Sequence, residues 1–269
     1  LLSVRFYRFL CENYTIPCKA GLLLCFPATN TQMNGENKMK QYQASKIKNL
    51  AIVGHGGSGK TSLAEALLFS TKATQRLGKI TDGTTVCDSD TEEIGRKASL
   101  NMTIAPFEYN GYKVNLLDAP GLFDFVGGMS EAIHAADSVL IVISGKSGLT
   151  TGAKKAYQLA KKQSKACAVY IGQLDRESAD FYKVLEELKA EFGPSVCPMV
   201  VPYSEDQKVK CYIDLMDMTA YSYDNGKASE VAIPETEHRL DGLISAISEA
   251  VAETDDELFE KYFSGEKFS

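Results

Sequence analysis

The sequence is poor in the residues that build disulfide frameworks and metal cages. Its seven cysteines (Cys11, Cys18, Cys25, Cys87, Cys167, Cys197 and Cys211) are odd in number, dispersed, and contain no CxxC pair. That argues for free thiols in a reducing compartment and against a zinc site. Histidine is scarce: His55, His134 and His238 are the three, far apart in sequence, which argues against a catalytic metal cage. Positive charge is not in excess either, with 29 basic against 35 acidic residues and a net charge of −6. Nucleic-acid binding by bulk charge is therefore excluded, and no sequence-specific DNA partner is expected, although a local basic face could still touch RNA. Long hydrophobic runs are missing: no segment reaches the ~20 apolar residues of a membrane helix. Residues 20–26 are apolar but short, and no small-residue cleavage site clearly follows them. A cytoplasmic protein without a membrane partner is expected. What is present, 44% apolar and 24% charged residues, is ordinary for a globular chain with a core.

Residues 1–38 begin without Met and hold no lasting periodicity, so residues 1–45 are expected to be an extension outside the domain, with a natural start at Met39. From residue 49 the pattern becomes regular. Leu50-Ala51-Ile52-Val53 reads as a strand buried on both faces. A glycine-rich turn follows, then a helix over 61–71. Residues 72–100 are polar and read as a long mobile loop, a length that is uncommon without a function. Strands over 103–109 and 112–117 flank Asn110-Gly111, a strong hairpin signal. Further strands are expected at 139–143 and 166–171, and helices at 152–163 and 179–192. Strands alternating with helices predict an α/β fold on a mainly parallel sheet with helices on both faces and ligand at the strands' carboxyl ends. After Gly193 the pattern changes to short strands at 199–201, 211–215 and 219–223, then an acidic helical stretch over 238–263. This predicts a small α+β subdomain over 194–269, appended to a domain over 46–193. No internal repeat is evident.

Gly54-His55-Gly56-Gly57-Ser58-Gly59-Lys60-Thr61 fits GxxxxGK[ST] without exception. A triphosphate needs several backbone N–H groups converging on its oxygens, and glycines let the chain bend that closely. The loop opens a helix whose N-terminal dipole favours an anion. In this pattern Lys60 neutralises phosphate oxygens and the Thr61 hydroxyl ligates Mg²⁺, with Ser62 next in the same helix turn. Asp118-Ala119-Pro120-Gly121 ends the second hairpin strand. It provides a carboxylate that can hold Mg²⁺ through water and a Gly121 N–H that can meet the γ-phosphate. Lys60 and Gly121 are thus the candidate catalytic groups. Water is the expected phosphoryl acceptor, so no protein nucleophile is sought.

The order of phosphate loop, long loop, hairpin and Asp-Ala-Pro-Gly-Leu-Phe-Asp-Phe resembles the GTP-binding domain of elongation factor G. Further matches are GKITD at 78–82, Ala179-Asp180-Phe181-Tyr182 and AVAETDDELFEKY at 250–262, so the resemblance covers about 46–269. Phe125-Val126-Gly127 resembles the divergent bacterial elongation factor G-like proteins in particular. The resemblance implies a P-loop NTPase fold, GTP or GDP as cofactor with Mg²⁺, hydrolytic activity, and a translational GTPase, monomeric, working on the ribosome. It makes the second subdomain an insertion, and it implies that the chain stops before the family's last base-binding motif. Ser99 falls where the family's first switch loop has a Mg²⁺-ligating Thr, which makes Thr61, Ser99 and Asp118 the implied metal ligands. His55 matches a family histidine, whereas Gly57 stands where the family has Asp.

Two departures change the chemistry. The family has a His directly after DxPG that positions the attacking water, and here Leu122 stands there. The family's base-reading Asn-Lys-x-Asp is Gly172-Gln173-Leu174-Asp175. Asp175 keeps the carboxylate that accepts from guanine N1–H and the 2-amino group, donors adenine lacks. Gly172 loses an Asn side chain that ties the base site to the phosphate loop, and Gln173 lacks a charged stem to cover the base. Two other readings stay open: a degenerate, weakly or non-hydrolysing guanine-nucleotide-binding module acting as an interaction switch, and a P-loop ATPase. Lys154, Lys155, Lys161, Lys162 and Lys165 read as a solvated face, with a ribosomal contact as the alternative.

Overall fold

The computed structural model describes residues 40–264 except 194, 206–207, 225–226, 236–238 and 254–255. Residues 1–39, with Met39 and most of the expected extension, and His238 lie outside the described residues.

Five strands form the main sheet: β1 (Ile47–Gly54), β2 (Thr103–Tyr109), β3 (Tyr112–Asp118), β4 (Ser138–Ser144) and β5 (Ala166–Gly172), in the order β2-β3-β1-β4-β5. Strands β3, β1, β4 and β5 run parallel, and β2 joins the edge antiparallel through the Asn110-Gly111 turn, where both residues have positive φ. Alternation along the strands splits the core in two, because successive side chains leave opposite faces. Leu50 and Ile52 of β1, Leu116 of β3, and Leu140 and Val142 of β4 pack on one side with Leu63, Ala64, Leu67 and Leu68 of helix α1 (Lys60–Ser70). Ala51, Val53, Leu117, Val139, Ile141 and Ile143 pack on the other. That second face is covered by α3 (Val126–Ala135), α4 (Thr151–Lys162) and α5 (Phe181–Phe192). The sequence pattern missed α3, whose first turn contains Gly127 and Gly128.

A second, antiparallel sheet follows in simple order: β6 (Val200–Glu205), β7 (Lys208–Asp214), β8 (Thr219–Asp224) and β9 (Lys227–Val231). Strand β9 was not anticipated. The acidic helical stretch forms two helices, α6 (Arg239–Ala252) and α7 (Asp256–Phe263). Val201, Ile213 and Ala220 of this sheet, Leu215 just after β7, and Leu240 and Ile247 of α6 belong to the same buried cluster as Val184 and Leu188 of α5. The two sheets are thus joined by a continuous apolar core.

The long loop expected over 72–100 contains short regular pieces. It holds a 3₁₀ turn (Ile80–Asp82) and a short helix, α2 (Thr91–Arg96), opened by a capping box between Asp90 and Glu93. Two buried carboxylates pin it. Glu65 Oε1 on α1 accepts from the Val86 and Cys87 N–H groups at 2.6 and 3.3 Å. Glu93 Oε1 accepts from Leu100 and Asn101 at 2.9 and 3.0 Å. Within the lysine cluster, Lys154 pairs with Glu191 at 2.6 Å and Lys165 donates to the Ala136 carbonyl oxygen at 2.6 Å, just beyond α3, while Lys161 and Lys162 are exposed.

Ile141, fully buried in the middle of β4, sets the scale of core packing. Ile141→Ala is expected to lower unfolding free energy by about 2–5 kcal/mol. Urea denaturation should show a lower midpoint with an unchanged slope.

Candidate functional site

The site lies at the carboxyl ends of β1, β3 and β4, where the parallel register brings Ile52 level with Asp118 and Gly54 level with Val142. Residues 54–61 leave β1, turn, and enter α1. Gly59 caps that helix at φ 99°, a left-handed conformation that a side chain would strain. Lys60 and Thr61 occupy the first turn and are 6% exposed. The Lys60 Nζ donates to the His55 carbonyl at 3.0 Å, so its ammonium is folded back along the loop. Burial pushes Lys60 below its usual range, and the nearby Asp118 and Asp88 carboxylates oppose that shift. Ser58 is buried, whereas Ser62 is exposed on α1. Buried His55 Nδ1 and Ser58 Oγ have no hydrogen-bond partner.

Three elements converge on Thr61. The loop over 72–100 returns so that Ser99 Oγ lies 3.1 Å from Thr61 Oγ1 and donates to Asp88 Oδ1 at 2.7 Å. Asp118, 1% exposed at the end of β3, has both carboxylate oxygens buried without a hydrogen-bond partner. Burial raises its pKa to about 7; the Thr61 hydroxyl, outside hydrogen-bonding geometry, and the Lys60 ammonium offset this only in part. Asp88, also buried, is raised as well, chiefly by burial, with the Ser99 hydroxyl opposing. Asp88 is the residue that sequence reasoning missed. Nothing in its spacing marks it; only the pinned loop brings it to Thr61.

These groups fit Mg²⁺. Hard oxygen donors from two hydroxyls and one or two carboxylates, beside a phosphate site, suit a small cation that keeps phosphate and water ligands. The orphaned, buried carboxylate oxygens of Asp118 are the observation that favours it, since a buried carboxylate without compensation is costly. Among the described residues no group of three or more His, Cys, Asp or Glu forms a metal cage, so protein side chains alone would not complete the shell.

Gly121 follows Asp118 across the mouth of the loop. A Cβ there would collide with Lys60 Nζ and lie 2.8 Å from the Gly56 nitrogen, so this approach requires glycine. Leu122 is 40% exposed and leans over Gly56, where a Cβ would meet its Cδ2 at 3.0 Å. Lys155 of α4 sits 5.5 Å above the Phe123 ring. Of the base-reading residues, Gln173 reaches the phosphate loop, donating from Nε2 to the Gly57 carbonyl at 3.0 Å. Asp175 is exposed and lines a cleft of about 1110 Å³ with Arg176, Asp180, Tyr203 and Lys208. The structure therefore gathers residues 54–61, Ser99, Asp118, Gly121 and Gln173, and leaves Asp175 on the adjoining loop.

Residues 45–263 match the model of a family described as the elongation factor Tu GTP binding domain. The chain belongs to that family. This GTP-binding domain is 35% identical over 223 residues to the elongation factor G-like protein of Mycobacterium tuberculosis, covering 82% of the chain and 30% of that relative. It is 30% identical over 220 residues to the elongation factor G-like protein of Thermotoga maritima, covering 82% of the chain and 31% of that relative. A crystal structure from Thermus thermophilus superposes with a TM-score of 0.76 at 35% identity, covering 84% of this chain and 34% of that one. The chain spans about a third of the length of these relatives. Family and fold agree on an elongation factor G-like GTP-binding domain. Among the described residues no helix is long and apolar enough to cross a membrane.

The raised Asp118 value has a stability consequence. In nucleotide-free protein the folded state holds this proton more tightly than the unfolded chain, whose carboxyl titrates near 3.8. The cost of burying the ionised form is absent below pH 3.8, grows as pH rises, and is complete above about 7. Asp118→Asn should therefore melt above the unsubstituted protein at pH 8, in chelator and without nucleotide, with the gap narrowing toward pH 5. A gap that is constant across that range would contradict the assignment.

Proposed function

We propose that this domain binds guanine nucleotide with Mg²⁺ and hydrolyses GTP slowly or with help from a partner, as the switch of a translation factor in the cytoplasm. The observation that carries the reading is the convergence of Thr61, Ser99 and Asp118 beside the phosphate loop, with Lys60 buried among them.

Backbone N–H groups of residues 56–61 and the α1 dipole bind the phosphates, and Lys60 neutralises their charge. Thr61, Ser99 and Asp118 would hold Mg²⁺, with Asp88 acting through Ser99. A cation held there would supply positive charge against the phosphate oxygens. The Gly121 N–H serves the γ-phosphate, and Gln173 and Asp175 serve the base, where the Asp175 carboxylate favours guanine over adenine. Because Ser99 and Gly121 both belong to segments that close over Thr61 and Lys60, loss of the terminal phosphate would release them and change the surface they present. The name of the relatives, elongation factor G-like, supports the ribosome as partner.

Leu122 favours a second reading, a binding module that hydrolyses little. A leucine beside Gly56 offers no donor or acceptor to orient an attacking water. Single-turnover phosphate release with and without ribosomes separates the two readings.

Fluorescent GDP and GTP titrated into the protein should bind saturably, more tightly with Mg²⁺ than in chelator, and with ATP failing to compete. A folded protein that ignores guanine nucleotides at millimolar concentration would overturn the assignment. Leu122→His should raise turnover at saturating GTP by on the order of 10²–10³, the usual worth of one positioned group. Unchanged turnover would remove Leu122 as the cause of slow hydrolysis.

A further inference from the structure

Residues 121–125 have to be in place before the Gly121 N–H can serve a terminal phosphate, yet none of them is buried. Gly121 and Phe125 are half-buried, and Leu122, Phe123 and Asp124 are exposed. A 3₁₀ turn over Phe123–Phe125 gives the segment local shape, with the Phe125 N–H donating to the Leu122 carbonyl at 3.0 Å. Gly127 and Gly128 follow in the first turn of α3, and glycine stiffens a backbone least. A segment with so little burial needs a fixed neighbour to keep one arrangement.

Helix α4 is that neighbour. Its buried residues Gly152, Ala153, Ala156 and Ala160 seat it in the core, and the Lys154–Glu191 pair ties it to α5. Its first turn also abuts the phosphate loop: a Cβ on Gly152 would lie 3.0 Å from His55 Nδ1. Lys155, three residues on, lies on the same helix face as Gly152. Its ammonium sits 5.5 Å from the centre of the Phe123 ring, within the range of a cation–π contact. Among the described residues no carboxylate pairs with Lys155, so its charge is not engaged elsewhere. Lys155 and Gly152 line one crevice with Gly54, Gly121 and Leu122. One helix thus meets the phosphate loop through Gly152 and the 121–125 segment through Lys155.

We infer that Lys155 is a positioning residue that favours GTP over GDP, acting on Gly121 through the face of the Phe123 ring. The inference rests on the guanine-nucleotide reading above. In the nucleotide-free arrangement Gly121 already stands against Lys60 and Gly56, and Leu122 against Gly56. The Lys155–Phe123 contact raises the fraction of molecules that hold this arrangement. GTP, whose terminal phosphate uses the Gly121 N–H, gains affinity in proportion to that fraction. GDP lacks that phosphate and gains nothing. An exposed cation–π contact shifts an equilibrium by about two- to fivefold, which sets the size of the effect.

The test is a titration of a fluorescent, non-hydrolysable GTP analogue and of fluorescent GDP, each with Mg²⁺, into the protein and four variants. Lys155→Met, which keeps the stem and removes the charge, should weaken the analogue about two- to fivefold and leave GDP unchanged. Phe123→Leu, which keeps apolar bulk and removes the ring, should do the same. The two substitutions together should lose no more than either alone, because both break one contact. Lys155→Arg, which keeps the cation, should bind both nucleotides as the unsubstituted protein does. Additive losses, or full affinity in Phe123→Leu beside a loss in Lys155→Met, would show the ammonium acting on phosphate charge directly and overturn the inference. Equal losses for GDP and the analogue would reduce the contact to a structural one, and full affinity in Lys155→Met would remove it; either result overturns the inference and leaves the function intact. Failure of the unsubstituted protein to bind either nucleotide would remove the function and the inference together.

Discussion

The site is governed by an unequal burial of charge. One ammonium, Lys60, and two carboxylates, Asp118 and Asp88, are enclosed at the ends of β1 and β3. Their hydrogen bonds do not balance: Lys60 is spent on a backbone carbonyl, Asp88 takes the Ser99 hydroxyl, and Asp118 takes none. Buried charge in this state is costly, and the cost falls when a cation meets Asp118 and an anion meets Lys60. A phosphate–Mg²⁺ pair supplies both at once. The arrangement that destabilises the empty domain is the one proposed to bind.

The loop over 72–100 turns that local electrostatics into a surface. It is held by Glu65 at its middle and by Glu93 at its far end, with Ser99 between Thr61 and Asp88. Backbone N–H groups satisfied by buried carboxylates give a loop of this length a defined path without strand or long helix. Its exposed residues Val86 and Ile94, together with Leu122 and Phe123 on the other segment, present apolar side chains to solvent beside the site.

The legible parts of the sequence were those whose physics is local. The phosphate loop between a buried strand and a largely buried helix, the Asn110-Gly111 hairpin and the helices capped by Thr150 and Asp180 all carry their signals within a few residues. Helix α3 escaped because Gly127 and Gly128 sit in its first turn and argue against a helix by propensity, while Met129, Ala132 and Ile133 are recruited by the sheet. The order in the 72–100 loop was half written in the sequence: Asp90 followed three residues later by Glu93 is a capping signal. The contacts that make it whole, from Glu65 and to Asp88, join residues tens of positions apart.

By itself the sequence determined the strand–loop–helix that cradles phosphate, the carboxylate at the end of β3, and the alternation that makes a parallel sheet with two apolar faces. These follow from backbone geometry and side-chain period, which neighbouring residues set among themselves. The tertiary structure alone decided which oxygens meet at Thr61, that Asp88 joins them, and that Gln173 reaches from the end of β5 across β4 to the Gly57 carbonyl. Those outcomes depend on which strand ends lie side by side, and only the packed sheet brings residues so distant in the chain within one hydrogen bond of each other.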